Sequence, residues 1–575
     1  MHDTGDRYVL DQPTQELAIP TTLQASLMAR VDRLGSARDV LQIGAAIGRE
    51  FSYEVLAAVA GLPDVVLQDA LIRLTEAELV SLRGTPPNAT YTFRHALIQD
   101  SAYSNMLRAR RQQLHSAIAT VLENRFPDLV KSAPELIAQQ FERAGQNEKA
   151  IHYWRQAGER DLRRFAMKES IAHYSSALRL VMAMPETPQR SGLELEVCLR
   201  LALAQLIGIG PTAKESGEYY RRALKLSHTV PGYGRERFLA TWGVWFSETM
   251  NRSVEAFRLA DDLVAIAREL DDPDLLVEAY HAQMPGLLWQ TDFLATKEAA
   301  EEVIRLYDRE RHRDHAYYFG GHDSRVCARS FYAITFWGLG FPDQAARMVR
   351  RCIEDARALG HTFSLAHGLN MGSLTFLLLH DVEACRVVAD ELYPFAERNK
   401  FSWPLAQARF LRGWLTSQQG DLAAGIEQMR KAVDDPSSAV MRPMLLTYIA
   451  EQQLRAEHFA DSIGTLNQAA EEVRTGASRF YEPEIVRLGG EILLAQSAAN
   501  AAQAESVFRQ AMALATEQSC RMLELRSAVS LARLLANDGR KSEARDLLAP
   551  IYGAFTEGFG RADLQTARTL LAGLS

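Results

Sequence analysis

The pattern of apolar and polar positions is helical along almost the whole chain. After Pro20, residues 23, 27, 31 and 34 are apolar, which is the spacing of one helix face. Further short helices are predicted over residues 40–47 and 53–60, each followed by a glycine that ends it. Another helix is predicted to begin at an Asp64 N-cap and to bury its apolar residues between 67 and 74.

The period then changes from that of a helix to that of a strand. Residues 79–83 and 90–94 are strand-like, and Tyr91 and Phe93 fall on one face of the second strand. A turn cluster of Gly, Thr, Pro, Pro and Asn separates the two strands. Helices followed by a β-hairpin are the order of a winged helix. We therefore predict a linker over residues 1–18 and a winged-helix domain over 19–127.

Beyond residue 128 one motif recurs, in which a small or polar turn residue is followed five positions later by a residue that opens an apolar helix. An earlier copy begins at Gly145, and the later turn positions are Asn251, Thr291, Gly340, His380, Gly420, His458, Ala499 and Gly539. From Asn251 on, their separations are 40, 49, 40, 40, 38, 41 and 40 residues, and the long step carries an insertion around Glu310–Ser324. This periodicity predicts a mainly α chain. Residues 128–575 would form a superhelix of two-helix repeats resembling tetratricopeptide repeats (TPR), with one continuous core.

Composition narrows the classes of function. The net charge is −8 and hydrophobic residues make up 47% of the chain, so no global cationic field attracts nucleic acid or anionic lipid. No apolar run approaches the roughly 18 residues of a membrane helix, so we expect no membrane partner. The five cysteines form no Cys-x-x-Cys pair, which predicts a reduced, cytoplasmic protein.

A search for catalytic and ligand-binding motifs supports a non-enzymatic chain. Phosphate-binding loops, nucleophile elbows, zinc-binding His-Glu-x-x-His helices and calcium loops are all absent from the sequence, so no catalytic residue and no cofactor is predicted. The insertion is rich in His and Asp, namely His312, Asp314, His315, His322 and Asp323. Metal ligation there is chemically open, but the uneven spacing favours a surface loop that packs through the aromatic residues 317–319. We therefore predict no metal site.

Because helix-turn-helix folds of this kind commonly bind DNA, DNA binding is the first rival hypothesis. The outward positions expected on the helix after residue 63 are Gln68, Asp69, Arg73, Glu76 and Glu78. A helix that enters the major groove normally offers basic or amide side chains. Residues 1–125 carry 12 arginines, no lysine and 14 carboxylates, and phosphate neutralisation dominates affinity for DNA. We therefore expect no nucleic-acid partner, although Arg108, Arg110 and Arg111 form one basic cluster.

One histidine directly follows the second strand, in the sequence Phe93-Arg-His95-Ala-Leu-Ile-Gln-Asp100. A structural cap at the strand-to-helix junction is one interpretation. The pattern also resembles the Met-His-Asp-type motif of signal-transduction ATPases with numerous domains (STAND), from which it departs at Arg94 and Ala96. In that class the winged-helix histidine contacts the β-phosphate of ADP on a separate ATPase module. The resemblance implies this contact for His95, since an imidazole donates well to a phosphate oxygen.

A wider resemblance covers essentially the entire chain. Residues 19–34 and 42–51, together with the His95 motif, are similar to bacterial class III adenylate/guanylate cyclase-like STAND proteins. That family combines a cyclase domain, an AAA-type ATPase, a winged helix and a TPR tail. Residues 320–329, 340–345 and 532–556 are similar to its tail.

The resemblance implies a regulatory part of such a protein. The family's cyclase and ATPase modules would lie upstream of residue 1, so we expect the chain to correspond to the C-terminal part, and no position matches the family's catalytic residues. The winged helix would dock on an ATPase or cyclase module in trans, and the TPR groove would bind a protein partner or effector. The second rival, an active cyclase, needs paired metal-binding carboxylates on an α/β sheet, and no alternating strands are predicted past the wing.

Overall fold

The computed structural model describes most of the chain. The described residues are 35–209, 213–250, 253–435, 441–476 and 478–574, with two short paired strands, β1 (His2–Asp3) and β2 (Tyr8–Val9). The helix predicted over residues 23–34 and the turn residue Asn251 lie outside this part of the chain.

The chain divides into two compact units. Unit 1 comprises Met1–Asp161 with Ala172–Met184, and unit 2 comprises Leu162–Ile171 with Pro185–Ser575. The domain boundaries at residues 18 and 127 stay predictions.

Unit 1 contains a small antiparallel sheet among helices. Its first elements are α1 (Ala37–Ile47), β3 (Glu50–Ser52), α2 (Tyr53–Ala60), α3 (Asp64–Glu76), β4 (Val80–Arg83) and β5 (Thr90–Phe93). Strand β5 lies in the middle of the sheet and pairs with β3 and β4, with Phe51 opposite Tyr91 and Val80 opposite Phe93. The predicted hairpin is confirmed, whereas β3 was not predicted because three residues are too few to show alternation.

Aromatic side chains cluster on one face of this sheet. Phe51, Tyr91 and Phe93 are buried, and the Phe51 ring centroid lies 5.8 Å from that of Tyr91 and 5.7 Å from that of Phe93. Tyr91 and Phe93 therefore share the inward face, as their alternation predicted.

Helix α3 buries its predicted apolar positions, Leu67, Ala70, Leu71 and Leu74. The predicted capping role of Asp64 is wrong, because Pro63 occupies the N-cap and Asp64 is the first helical residue. The Asp64 carboxylate accepts a hydrogen bond of 2.6 Å from the Tyr53 hydroxyl and thereby links α2 to α3.

Helices make up nearly all of the remaining described chain. Those up to residue 182 are α4 (Ala96–Ser104), α5 (Arg108–Arg125), α6 (Pro127–Ser132), α7 (Pro134–Arg143), α8 (Asn147–Arg163) and α9 (Met167–Met182). The next are α10 (Pro188–Ile209), α11 (Lys214–Ser227), α12 (Gly234–Met250), α13 (Glu255–Glu269), α14 (Pro273–Trp289), α15 (Phe293–Leu306), α16 (Arg309–His312), α17 (Ser324–Gly338), α18 (Pro342–Leu359) and α19 (Thr362–Leu378). The last are α20 (Val382–Asn399), α21 (Ser402–Gln418), α22 (Leu422–Val433), α23 (Arg442–Arg455), α24 (Phe459–Thr475), α25 (Glu482–Gln496), α26 (Ala501–Glu517), α27 (Arg521–Asn537), α28 (Lys541–Gly553) and α29 (Ala562–Gly573).

The helices of unit 2 pack in chain order as hairpins, which confirms a TPR-like solenoid. The predicted turn positions Thr291, Gly340, His380, Gly420 and Gly539 all have a left-handed backbone, with φ between 52° and 103°. A left-handed residue ends one helix and lets the chain reverse within two or three residues. Short connections of this kind make successive helices antiparallel neighbours.

One repeat is shifted by a residue from its predicted register. The left-handed residue there is Glu457, with φ of 60°, instead of His458. The buried small residue five positions on is accordingly Ser462 and not Ile463. The Ser462 hydroxyl donates to the Ala450 carbonyl at 2.7 Å and closes the hairpin of α23 and α24.

The solenoid of unit 2 curves until late repeats contact early ones. The Arg479 N–H donates to the Trp289 carbonyl at 2.8 Å, and Arg561 forms ion pairs of 3.0 Å with Asp343 and 3.1 Å with Asp381. The inner helix faces therefore bury large side chains such as Trp337, Phe480 and Tyr481. Among the residues of the described ranges, no helix combines the length and apolarity that crossing a membrane requires.

Candidate functional site

His95 stands at the surface of unit 1. It occupies the N-cap of α4 with an extended backbone, at φ −135° and ψ 142°, and its side chain makes no capping hydrogen bond. Arg94, His95 and Ala96 are all exposed. The capping interpretation of His95 is therefore wrong, and its imidazole is accessible.

An apolar surface lies on and beside α3. Val65 is 80% exposed and Ile72 is 57% exposed, and residues seven positions apart lie on the same face of a helix. The other exposed apolar side chains nearby are Leu62, Val66 and Leu82. Several exposed large apolar side chains on and beside one helix mark a candidate docking site.

Four histidines meet inside unit 2, around one carboxylate. Glu278 and His281 lie on α14, His315 and His322 on the insertion between α15 and α17, and His367 on α19. We call these residues, together with Ser324 and Cys327 of α17, the histidine cluster. Its members are buried, so the insertion is part of the core of this unit.

Glu278 organises the cluster by accepting from three side chains. Its carboxylate oxygens lie 3.0 Å from Nδ1 of His281 and 2.8 Å from Nδ1 of His315, and the Ser324 hydroxyl donates to it as well. Burial alone would raise the pKa of Glu278, but the two imidazoles outweigh burial and hold that pKa well below its usual range. Glu278 is thus a buried anion that orients two imidazole rings.

His281 and His322, whose Nε2 atoms lie 3.2 Å apart, differ in basicity. Burial opposes the charged form of His281, but Cys327 and Glu278 outweigh it and raise the pKa of His281. Burial, followed by repulsion from His281, lowers the pKa of His322 to about 3. The His281 and His322 rings stand edge to face, with centroids 5.1 Å apart.

The insertion residues singled out in the sequence are placed differently from the prediction. His312, His315, His322 and Asp323 are buried, whereas Asp314 is 52% exposed, so the surface-loop interpretation is wrong. The predicted aromatic packing is confirmed: the ring centroid of Phe319 lies 5.9 Å from that of Phe238 and 5.7 Å from that of Trp242.

The outer part of the insertion is fixed by acidic partners. Nε2 of His312 lies 3.1 Å from a carboxylate oxygen of Asp274. The Tyr307 hydroxyl donates to Asp323, which also caps α17 by accepting from the Val326 N–H at 3.0 Å. These bonds connect the insertion to α14 and α17.

An apolar cavity of about 50 Å³ adjoins the histidine cluster. His281, His322, Cys327 and His367 form part of its wall. The rest of the wall is mainly apolar and comprises Trp245, Phe246, Pro285, Trp289, Phe331, Met371, Trp403 and Met441. Apolar walls with a few convergent polar groups are typical of ligand sites.

A second, charged pocket of about 140 Å³ lies among the late repeats. Arg526 forms ion pairs there with Asp563 at 2.9 Å and with Glu484 at 4.0 Å. Burial favours the neutral acid, but the charges of Arg487 and Arg526 outweigh it and lower the pKa of Glu484 to about 2. Opposite charges that line this pocket form ion pairs, such as Arg526 with Asp563 and Arg487 with Glu484.

Five members of the histidine cluster were not predicted from the sequence: Glu278, His281, Ser324, Cys327 and His367. Glu278 and His281 stand three residues apart on one helix face, the one local signal that was available. His322 follows His281 by 41 residues, so only the packing of hairpins brings them together.

The fold and the site define a helical-hairpin repeat protein with a buried polar cluster. No family model matches the chain. An uncharacterized protein of Rhizobium meliloti (strain 1021) is 26% identical over 418 residues, which cover 70% of this chain. The chain spans 39% of the length of that curated relative.

The chain is also similar, at low identity, to several solved structures. The Cut9–Hcn1 hetero-tetramer of the APC/C has a TM-score of 0.45 at 13% identity, covering 81% of this chain and 88% of that one. A Rap protein complexed with competence and sporulation factor has a TM-score of 0.39 at 12% identity, covering 75% and 99%. A STAND protein with a tetratricopeptide repeat sensor from Pyrococcus horikoshii has a TM-score of 0.32 at 13% identity, covering 73% and 65%. These scores are low, so the repeat assignment rests on the helices and turns of the chain itself.

Proposed function

We propose that the chain is a non-catalytic interaction module of a cyclase-like STAND signalling protein. In this proposal unit 1 carries a winged helix within residues 19–127, which docks on an ATPase module in trans. The order helix, strand, helix, helix and two strands, formed by α1, β3, α2, α3, β4 and β5, supports the winged-helix assignment. The solenoid binds a protein partner or effector.

The apolar surface on α3 carries the docking proposal. A helix that reads DNA offers basic groups to phosphates, but here the apolar Val65 and Ile72 are exposed together with the acidic residues Asp69 and Glu76. The basic residue beside them, Arg73, already pairs with Asp69 at 2.8 Å. A face of apolar and mainly acidic side chains suits a protein partner better than a nucleic acid.

His95 supplies the nucleotide-dependent part of the proposal. Its accessible imidazole is able to donate to the β-phosphate of ADP held by the ATPase module, so that docking is favoured by ADP and weakened when ADP is absent. The effector binds in the groove of the TPR solenoid, and the apolar cavity of about 50 Å³ beside the histidine cluster has room only for a small apolar group of it.

The test is titration of the full chain with a purified STAND-type ATPase module of the same signalling system, with and without ADP. We expect ADP-dependent binding that Val65→Asp weakens at least about tenfold, while His95→Ala removes the ADP dependence. Leu294→Asp is the matched control, because Leu294 is an equally apolar residue, 61% exposed, in unit 2. Salt-dependent binding to duplex DNA that is lost on substitution of Arg108, Arg110 and Arg111 would favour the rival regulator instead. Absence of binding to the ATPase module contradicts the proposal.

A further inference from the structure

Three potential metal ligands converge in the histidine cluster. The donor atoms of His281, His322 and Cys327 all lie within 4.8 Å of one another. Nε2 of His281 is 3.2 Å from Nε2 of His322. All three residues are buried, and all three border the apolar cavity.

The hydrogen bonds of the two rings determine where their protons lie. Nδ1 of His281 faces the Glu278 carboxylate at 3.0 Å, and Nδ1 of His322 faces the Gly320 carbonyl oxygen at 3.1 Å. A carbonyl oxygen only accepts, and so does an ionised carboxylate, so both Nδ1 atoms carry the hydrogen. The two Nε2 atoms face each other across 3.2 Å, and in the neutral rings each offers its lone pair to one shared cation.

The spacing of the two imidazole nitrogens fits a tetrahedral metal ion. With Zn–N bonds of roughly 2.0–2.1 Å, two imidazole nitrogens of a tetrahedral site are about 3.3 Å apart, close to the 3.2 Å observed. We propose that Nε2 of His281, Nε2 of His322 and Sγ of Cys327 bind Zn²⁺ or a similar borderline-soft divalent ion, with a fourth position open to the apolar cavity.

The surroundings have the features of a metal site. A carboxylate that accepts from the far nitrogen of a ligating imidazole fixes its orientation and raises its basicity, and Glu278 does this for His281. Binding releases the Cys327 thiol proton. The thiolate and the Glu278 carboxylate then balance the charge of a divalent ion, as burial requires.

The fourth position has a polar neighbour. The His367 ring is stacked on that of His322, with centroids 3.9 Å apart. Within the described ranges neither ring nitrogen of His367 has a hydrogen-bond partner. Three protein ligands and an open position are the pattern of a reactive or ligand-exchanging zinc site, and His367 would hydrogen-bond the water or donor group in that position.

Cobalt(II) is the probe, because it occupies zinc sites and reports its ligands by absorption. The full chain is freed of metal with a chelator and titrated with Co²⁺. We expect one equivalent to bind, with visible bands of a tetrahedral ion and a near-ultraviolet thiolate-to-cobalt charge-transfer band, all displaced by Zn²⁺. A wild-type chain that shows no charge-transfer band overturns the proposal, whatever its variants do.

Variants then assign the ligands. Cys327→Ser should abolish the charge-transfer band, and His322→Gln should weaken binding at least about tenfold, as losses at metal sites commonly do. Cys385→Ser is the matched control, because Cys385 is an equally buried free cysteine outside the cluster. The charge-transfer band of this variant should equal that of the wild type. A band that survives in Cys327→Ser overturns the proposal. Neither result bears on docking by unit 1, so the two proposals fail separately.

Discussion

The guanidinium of Arg526 donates to the carbonyl oxygen of Leu378 at 2.7 Å, across 148 residues of sequence. Leu378 is the last residue of α19, so its carbonyl has no partner within the helix. The preceding carbonyl, of Leu377, accepts from the Tyr448 hydroxyl at 3.0 Å. Side chains from two later repeats thus cap one helix end in the interior and hold the curvature of the solenoid.

We predict that Arg526→Met strongly destabilises unit 2. Removing the guanidinium takes one ion-pair partner from the half-buried carboxylate of Asp563 and one from the buried carboxylate of Glu484. Breaking a buried ion pair on one side costs about 3–5 kcal/mol, and chemical denaturation should measure it. Arg533→Met, an exposed position on the same helix, should change stability by less than about 0.5 kcal/mol. Equal losses in the two variants would contradict the capping role.

Tyr448→Phe should have a smaller effect of the same origin. It removes one neutral hydrogen bond to Leu377 and preserves the ring that stacks on Tyr481 at 6.0 Å. A buried hydrogen bond of this kind contributes about 1 kcal/mol. Tyr393→Phe serves as the control, since its hydroxyl bonds Glu397 at an exposed position, and its denaturation midpoint should stay at the wild-type value.

The close packing of α22 on α21 requires a glycine at position 425. A Cβ added at Gly425 would lie 2.7 Å from the Gly413 carbonyl oxygen and 2.8 Å from the Ser417 nitrogen, so α21 and α22 would have to separate. Gly425→Ala should therefore destabilise by about 1–3 kcal/mol. Gly464→Ala, on α24 with nothing within 4 Å, should instead stabilise by about 0.5–1 kcal/mol. Thermal denaturation of the two variants tests this prediction, because their stabilities are expected to change in opposite directions.

A pH dependence is expected from His361, the N-cap of α19. Its Nδ1 caps the helix by accepting a hydrogen bond of 3.2 Å from the Ser364 backbone N–H. Burial lowers the pKa of His361 to about 4. The unfolded chain binds a proton near pH 6.5 that the folded chain does not bind. Stability is therefore fully present above pH 6.5 and is lost as the pH falls towards 4, by up to about 2 kcal/mol at pH 5.

His361→Asn keeps a capping oxygen but cannot titrate. Denaturation at pH 7.5 and pH 5.0 should therefore show a smaller acid-dependent loss in this variant than in the wild type. The same pH dependence in both proteins would mean that other groups account for it.

Local patterns predicted the elements well because their causes are local. The left-handed turns at Gly340, Gly420 and Gly539 and the inward pair of Tyr91 and Phe93 follow from residue type and period alone. The shifted register at Glu457 lay beyond such reasoning, because neighbouring polar residues leave the turn position undetermined.

The candidate site was predicted poorly. The composition of the His- and Asp-rich insertion predicts an exposed segment, because charged and polar residues are usually exposed. Its burial depends on partners in other repeats, such as Glu278 for His315 and Trp242 for Phe319. None of these partners adjoins the insertion in the sequence.

The amino-acid sequence by itself determined a chain of short amphipathic helices with a hairpin near its start, since helix period, glycine turns and alternation act over a few residues. Only the tertiary structure decided that the solenoid of unit 2 curves until Arg526 reaches Leu378, and that His281 and His322 face each other. The physical reason is that each repeat adds a small rotation to the last. Contacts across 41 or 148 residues depend on the sum of those rotations and on how each interface packs, which no single segment encodes.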